Sequence, residues 1–261
     1  MSVKIALCAP IPIEYKAARD ILGLRENEPV TGCRLCTGEK SGIHVYCLLT
    51  GPGKARSAQA TSALIGAIGP SLIVDTGTCA GLGPVAAIGD IILSTKSYEF
   101  DIAGAGIPTK KMDEMEVESG FRFLPRGTWE TLVCRAGAYA QKLDLRVLEG
   151  AQATGEILVN IEKIRDSLFD LFQATGANWE TAAVFLCALR ASLPAISFRV
   201  VSDNGGRNAL KEFREHARRQ ARNLYRFIDV LLSSGWFGGL LDEWSRVKDV
   251  VKKNLPGLVK P

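Results

Sequence analysis

The chain has 261 residues, 47% of them hydrophobic and 23% charged, with a formal net charge of +4. This describes an ordinary globular protein with room for one large α/β domain or two small ones, and the charge is too small to point to nucleic acid. Only His44 and His216 are present, against a histidine-rich metal site, and seven cysteines scattered through apolar runs fit a reducing cytoplasm better than a disulfide scaffold.

Val3 to Cys8 is an apolar run suited to a strand buried on both faces, so the N-terminus reads as a first strand rather than a signal peptide. Ala9 to Ile13 carries Pro10 and Pro12, which favour a shaped loop, and a helix is expected from Tyr15 to Leu22. Glu14 stands at that junction. It is either a functional acid or a carboxylate favoured by the first turn of the helix. Cys33 and Cys36 form a lone C-x-x-C without the second pair that a zinc site needs. No metal and no cofactor are expected.

Cys33 to Thr37 and Ile43 to Leu49 read as two strands of a hairpin around residues 38–42. The second ends at Thr50-Gly51-Pro52-Gly53-Lys54, before an alanine-rich helix from Ala55 to Ile68. The loop echoes a dinucleotide turn but lacks its third glycine and the following acid, so nicotinamide binding is not read from it. Ser71 to Asp75 is a further strand running into a turn of small residues, Thr76 to Pro84, that leaves room for a ligand against bare backbone. Gly89 to Ser94 begins another strand. Tyr98 to Pro125 shows no clean period, and loops of that length are usually functional or mobile.

Thr128 to Leu143 is expected to be helical, Arg146 to Ala153 a strand, and Ile161 to Phe172 a helix capped by Asn160. Asn178 to Val184 opens an apolar helix that ends near Ala191. Next comes Ala195 to Asp203, a β-branched run set off by Pro194 and stopped by Gly205 and Gly206. Ligands of open α/β sheets bind just beyond the carboxyl ends of the strands. Asp203 is therefore a candidate proton donor or acceptor, or else a turn-forming residue before the next helix. That helix, Asn208 to Leu232, is amphipathic, with Phe213, Ala217, Leu224, Ile228 and Leu231 on one face and a solvated basic face opposite.

A Ser-Ser-Gly break at 233–235 leads into a tail whose Phe237, Leu241, Trp244, Val247 and Val251 share a face. The chain is thus divided into a domain at 1–232 and a C-terminal amphipathic helical extension at 233–261, docked on the domain or on a partner subunit. A membrane-surface role for the tail is the weaker alternative. No apolar run reaches the ~20 residues that span a bilayer, so no membrane partner is expected. Strand–helix alternation predicts a largely parallel or mixed sheet covered by helices on both faces.

By Asp203 the order of motifs resembles the purine nucleoside phosphorylase and nucleosidase superfamily. Within it, the 5'-methylthioadenosine/S-adenosylhomocysteine nucleosidases and futalosine hydrolases are the most similar. Seven motifs carry the resemblance: Pro12-Ile13-Glu14, Thr50 to Lys54, Thr76 to Leu82, Gly89-Asp90-Ile91, Thr154-Gly155-Glu156, Trp179 to Ala183, and Arg199 to Asp203. It covers Val3 to Leu232 and leaves the tail aside. The resemblance implies a three-layer α/β/α sandwich with a central mixed sheet, a phosphorylase/hydrolase-like fold, and a cytoplasmic homodimer acting on a small-molecule purine nucleoside.

It also implies roles. Asp203 would protonate N7 of the departing purine, Glu14 would activate the attacking water, and Glu180 would grip the ribose hydroxyls. Ser202 would hold Asp203, Thr78 and Cys79 would line the ribose, Leu158 and Val159 would flank the base, and Pro52 would lie near the 5' substituent. Where the family commonly has methionine before the ribose-binding glutamate, this chain has Trp179, and Leu158 holds a position that often stacks an aromatic ring. Either Trp179 supplies that ring face or the base site is looser. Asn178 stands where another acid is frequent.

The implied reaction is hydrolysis of the N-glycosidic bond of a 5'-modified purine nucleoside. Such cleavage passes through an oxocarbenium-like cation and commonly pairs an acid with a base. A phosphorylase needs cations to clamp phosphate, and the loop before Glu14 has no arginine. Lys54 and Arg56, in the next loop, keep phosphorolysis open as an alternative. A nucleoside-binding protein without activity is another.

Overall fold

The computed structural model describes residues 2–102 and 115–258, with side chains described through residue 253. The chain runs β1 (Lys4–Ala9), α1 (Pro12–Leu22), β2 (Arg25–Val30), β3 (Cys33–Lys40), β4 (Ile43–Leu49), α2 (Lys54–Ile68) and β5 (Leu72–Gly81). It continues through β6 (Ile91–Ser94), β7 (Lys96–Glu99), β8 (Glu116–Glu118), a 3-10 turn (Gly120–Phe123), α3 (Arg126–Gln141), β9 (Val147–Glu149), β10 (Ala151–Thr154) and α4 (Glu162–Phe172). It closes with β11 (Ala174–Asn178), α5 (Thr181–Arg190), β12 (Ala195–Asp203), α6 (Ala209–Ser233) and α7 (Trp236–Leu258).

The strands of the described residues form one mixed sheet that forks at β5. On one side β5 pairs in parallel with β1, and β1 with β4, beyond which β3 and β2 add antiparallel. On its other side β5 pairs in parallel with β12, from Ile73 opposite Ala195 to Ala80 opposite Asp203. The last residues of β5, Ala80 and Gly81, instead pair antiparallel with β11. From there the sheet runs on through β10, β7 and β8, while β12 continues through β6 to β9.

Period-two alternation sorts the strand residues between two helical layers. Ile5, Leu7 and Ala9 of β1 join one core cluster with α1, α3, α6 and α7, and Ala6 and Cys8 join another with α2 and α5. The fold is therefore the expected three-layer α/β/α sandwich with a mixed central sheet. The tail helix belongs to the first layer. Trp236, Phe237, Leu240, Trp244, Val247 and Val251 lie in its core cluster. The Trp236 indole meets Phe198 of β12 edge-on, and its Nε1 donates to the Leu132 carbonyl at 3.0 Å.

Several local expectations are corrected. Pro12 begins α1 rather than preceding it, because the first helical position needs no N–H and suits the fixed φ of proline. The small-residue stretch 76–81 is not a turn but the second half of β5. Arg146–Ala153 is broken at Gly150 into β9 and β10, and β2 and β11 add strands that the sequence reading did not include. The residue before α4 is Ile161, and no side chain caps that helix, so Asn160 is not its cap. Of the long stretch 98–125, residues 103–114 lie outside the described residues; the remainder holds the end of β7, β8 and the 3-10 turn.

Candidate active site

The carboxyl ends of β1, β5 and β12, the loop before α2, the segment after β10, the β11–α5 junction and the first turn of α6 surround a cavity of about 280 Å³. All ten residues singled out in the sequence line it: Glu14, Pro52, Thr78, Cys79, Leu158, Val159, Trp179, Glu180, Ser202 and Asp203. They come from six separate segments, yet all reach the same cavity. Leu158 and Trp179 are partly exposed, while the three carboxylates are buried.

Glu14 is the third residue of α1, and its Oε2 accepts the Ile11 N–H at 3.1 Å, which caps the helix. Its Oε1 accepts both the Thr78 N–H, at 2.7 Å, and the Thr78 hydroxyl, at 2.9 Å. The helix-end reading and the site reading thus hold at once. Burial pushes its carboxyl up to about 7, against the opposing pull of Arg199 and the Thr78 donors. Thr78 reaches Glu14 because Gly77 leaves room for the Glu14 and Arg199 side chains against the backbone of β5. A Cβ on Gly77, at φ +138°, would stand 2.9 Å from Glu14 Oε1 and 3.0 Å from Arg199 Nη1.

Asp203 owes its placement to a bulge. Val201 pairs with Cys79 and Asp203 with Ala80, so Ser202 is an extra residue. In an unbroken ladder Ser202 would stand opposite Ala80; the bulge brings Asp203 there, with both side chains on the cavity. Ser202 Oγ donates to Asp203 Oδ2 at 2.9 Å, and the Gly205 N–H donates to Oδ1 at 3.1 Å. Burial still wins over these donors and lifts the Asp203 carboxyl to about 6.

Glu180 is the residue that enters α5. Its Oε1 accepts the Gly53 N–H at 2.9 Å and its Oε2 accepts Arg199 Nη1 at 3.0 Å. Burial raises its pKa, with Arg199 and the Gly53 amide opposing. Asn178 fixes this junction: its Oδ1 accepts the N–H groups of Glu180 and Thr181, each at 2.9 Å, and its Nδ2 donates to Gln152 Oε1 at 3.0 Å. It therefore satisfies two amides at the start of α5, whose N-cap position is held by Glu180.

The sequence reading quoted Arg199 within a motif but gave it no role. It is the centre of the site's charge. Its Nη1 also donates to the Thr78 carbonyl at 3.2 Å, and its Nε and Nη2 hold Asp75 at 2.9 and 2.6 Å. Burial works against its charge, and Asp75, Glu180 and Glu14 more than offset this, so its pKa lies above the ordinary value. The signal in the sequence was a single cation inside a strand of apolar residues, which is rarely buried without partners. The first turn of α6 adds Leu210 and Phe213 to the cavity wall, and Phe213 was also read in the sequence on the apolar face of that helix.

Among the described residues, no group of three or more His, Cys, Asp or Glu is placed to hold a metal ion, and no helix is long and apolar enough to cross a membrane. Fold and cavity together define an α/β/α protein with a cavity at the carboxyl ends of its strands, where the ligands of such sheets bind.

A family model, that of the phosphorylase superfamily, matches residues 4–251, and the chain belongs to that superfamily. The chain is 25% identical over 239 residues to a 5'-methylthioadenosine/S-adenosylhomocysteine nucleosidase of Geobacillus sp. (strain WCH70), covering 89% of this chain and 99% of that one. Its fold matches the Helicobacter pylori nucleosidase of the same name, solved with butyl-thio-DADMe-Immucillin-A. The TM-score there is 0.77 at 20% identity, over 90% of this chain and 99% of that one. The fold also matches futalosine hydrolase of Helicobacter pylori, with a TM-score of 0.75 at 19% identity, over 89% of this chain and 99% of that one.

Proposed function

We propose that this chain hydrolyses the N-glycosidic bond of a 5'-modified purine nucleoside, of the methylthioadenosine/adenosylhomocysteine or futalosine type, and releases the free base. The observation that carries this reading is the meeting of Glu14, Glu180 and Asp203 in one cavity, each buried and each held by hydrogen bonds. The similarity to nucleosidases over nearly the whole chain supports it.

In this reading Asp203, whose burial favours the protonated form, gives its proton to N7 of the purine as the C1'–N9 bond breaks. Glu14 takes a proton from water as the water oxygen bonds to C1'. Glu180 accepts hydrogen bonds from the ribose hydroxyls and places negative charge near the ribosyl cation. General acid and base groups typically contribute 10²–10⁴-fold each. Trp179 and Leu158 at the rim, with Val159, would flank the base, and Pro52 the 5' group.

The start of α2 offers no support to phosphorolysis. Helix N-termini hold anions, but here the Gly53 and Lys54 amides already donate to Glu180 Oε1 and Glu156 Oε1, at 2.9 and 2.6 Å. Lys54 Nζ pairs with Glu99 and Asp101 at 3.2 and 2.6 Å, and Arg56 donates to the Pro52 carbonyl. Phosphate would have to displace carboxylates to bind there.

The test is a panel of 5'-substituted purine nucleosides assayed for free base with and without phosphate. Release in phosphate-free buffer is expected; release that needs phosphate and yields ribose-1-phosphate would overturn the hydrolytic reading. Asp203→Asn should bind nucleoside and lose turnover, whereas a binding protein would show no turnover before or after. The proposal extends to a cytoplasmic homodimer and to a nucleosidase-like domain at 1–232 that carries 233–261 as a docked helical extension. The mass in solution tests the dimer.

A further inference from the structure

Asp75 is fully buried on β5 and lies behind Arg199, and it is absent from the cavity lining. It accepts four hydrogen bonds from three side chains on two elements. Arg199 Nη2 reaches its Oδ1 at 2.6 Å, and Arg199 Nε reaches Oδ2 at 2.9 Å. Ser197 Oγ, on β12, and Thr181 Oγ1, at the first turn of α5, both reach Oδ2 at 2.7 Å. The guanidinium is a planar fork, and a two-point grip on one edge fixes the direction of the rest. What remains is Nη1, which is aimed at Glu180 Oε2 and the Thr78 carbonyl.

We infer that Asp75 is a positioning residue for sugar recognition: by clamping Arg199 it fixes the Glu180 carboxylate that reads the ribose diol. This rests on the nucleoside reading of the cavity. Glu180 has two described anchors, Gly53 N–H on one oxygen and Arg199 Nη1 on the other. The second is only as firm as the grip on Arg199. Asparagine at position 75 has the shape of aspartate but turns an NH2 toward either Arg199 Nη2 or the three donors on Oδ2. Donor then faces donor, and the guanidinium loses one side of its clamp. Glu180 keeps its amide contact and loses its fixed orientation. A site built to hydrogen-bond hydroxyls rejects ligands lacking them strongly, and that rejection depends on the acceptor staying in place.

The experiment compares the dissociation constants of 5'-methylthioadenosine and its 2',3'-dideoxy counterpart in wild type and Asp75→Asn, read by stopped-flow tryptophan fluorescence before turnover, with thermal melting as the check on folding. At the same time, base release is assayed. Wild type should prefer the diol, and the variant should lose ~10–100-fold of that preference, chiefly through weaker binding of the diol ligand. A variant that folds and keeps the wild-type ratio, or a wild type with no preference, overturns the inference. A collapsed ratio in a protein that releases no base would leave the role of Asp75 standing and sink the glycosidase reading. Should Asp75→Asn not fold, Ser197→Ala removes one of the four donors, and the ratio should move the same way by a smaller factor. An unchanged ratio there overturns the inference too.

Discussion

Both donors of Thr78, its N–H and its hydroxyl, converge on the same oxygen of Glu14, at 2.7 and 2.9 Å. With Ile11 N–H on the other oxygen, three donors surround a group that can meet all of them only as an acceptor. Glu14→Gln should therefore lower base release by ~10²–10⁴-fold while leaving nucleoside binding nearly intact. Thr78→Val, which removes only the hydroxyl, should cost much less. Single-turnover base release beside fluorescence titration measures both.

The pH dependence of kcat/KM follows from the two shifted carboxyls. In the proposed mechanism Asp203 must carry its proton, and burial pushes it to about 6; Glu14 must have lost its proton, and burial pushes it to about 7. A bell is expected with its optimum at about 6.5, midway between them, where a minority of molecules holds the productive protonation. Ser202→Ala removes a hydrogen bond that lowers the Asp203 pKa. The optimum should then move to higher pH. An optimum that stays put would mean that Ser202 does not tune the acid.

The same burial costs stability. A carboxyl whose folded pKa is raised contributes fully below its unfolded value. That contribution is lost as pH rises, for Asp203 between 3.8 and about 6. Asparagine does not ionise. Asp203→Asn should thus melt a few degrees above wild type at pH 8, and this gain should vanish or reverse at pH 4, where both proteins carry a neutral group. Calorimetry at the two pH values decides it, and an equal difference at both would count against buried ionisation.

Trp236 is a structural test of the tail. It is fully buried among Phe198, Phe237 and the α3 carbonyl that its indole N–H finds. Trp236→Ala should cost about 3–5 kcal/mol in denaturant unfolding, with base release per folded molecule unchanged. A loss under 1 kcal/mol would show that α7 adds little to the domain.

Most of the fold was legible where one signal dominated. β12 could be read because a β-branched run lay between Pro194 and two glycines, and α6 because its apolar face repeats at helical spacing. β5 was read only in its first half. Thr76 to Gly81 has the composition of a turn, yet its small residues are required in a strand against which Glu14 and Arg199 close. β2 is largely exposed and polar, so no alternation marked it, and β11 is short and built of small residues. The ten residues that meet in the cavity were singled out through the order of motifs along the chain. Asp75 and Arg199 were not given roles because each ends or interrupts an apolar run, and nothing local reveals that the two charges answer each other across the sheet.

The Ile11 N–H has one more use. It donates to the oxygen of Glu14 that faces away from Thr78, so its resonance will sense whether that carboxyl is ionised. Nuclear magnetic resonance of the Ile11 amide during an acid titration would follow the group proposed to activate water in the resting protein, with no substrate present and no turnover to interpret.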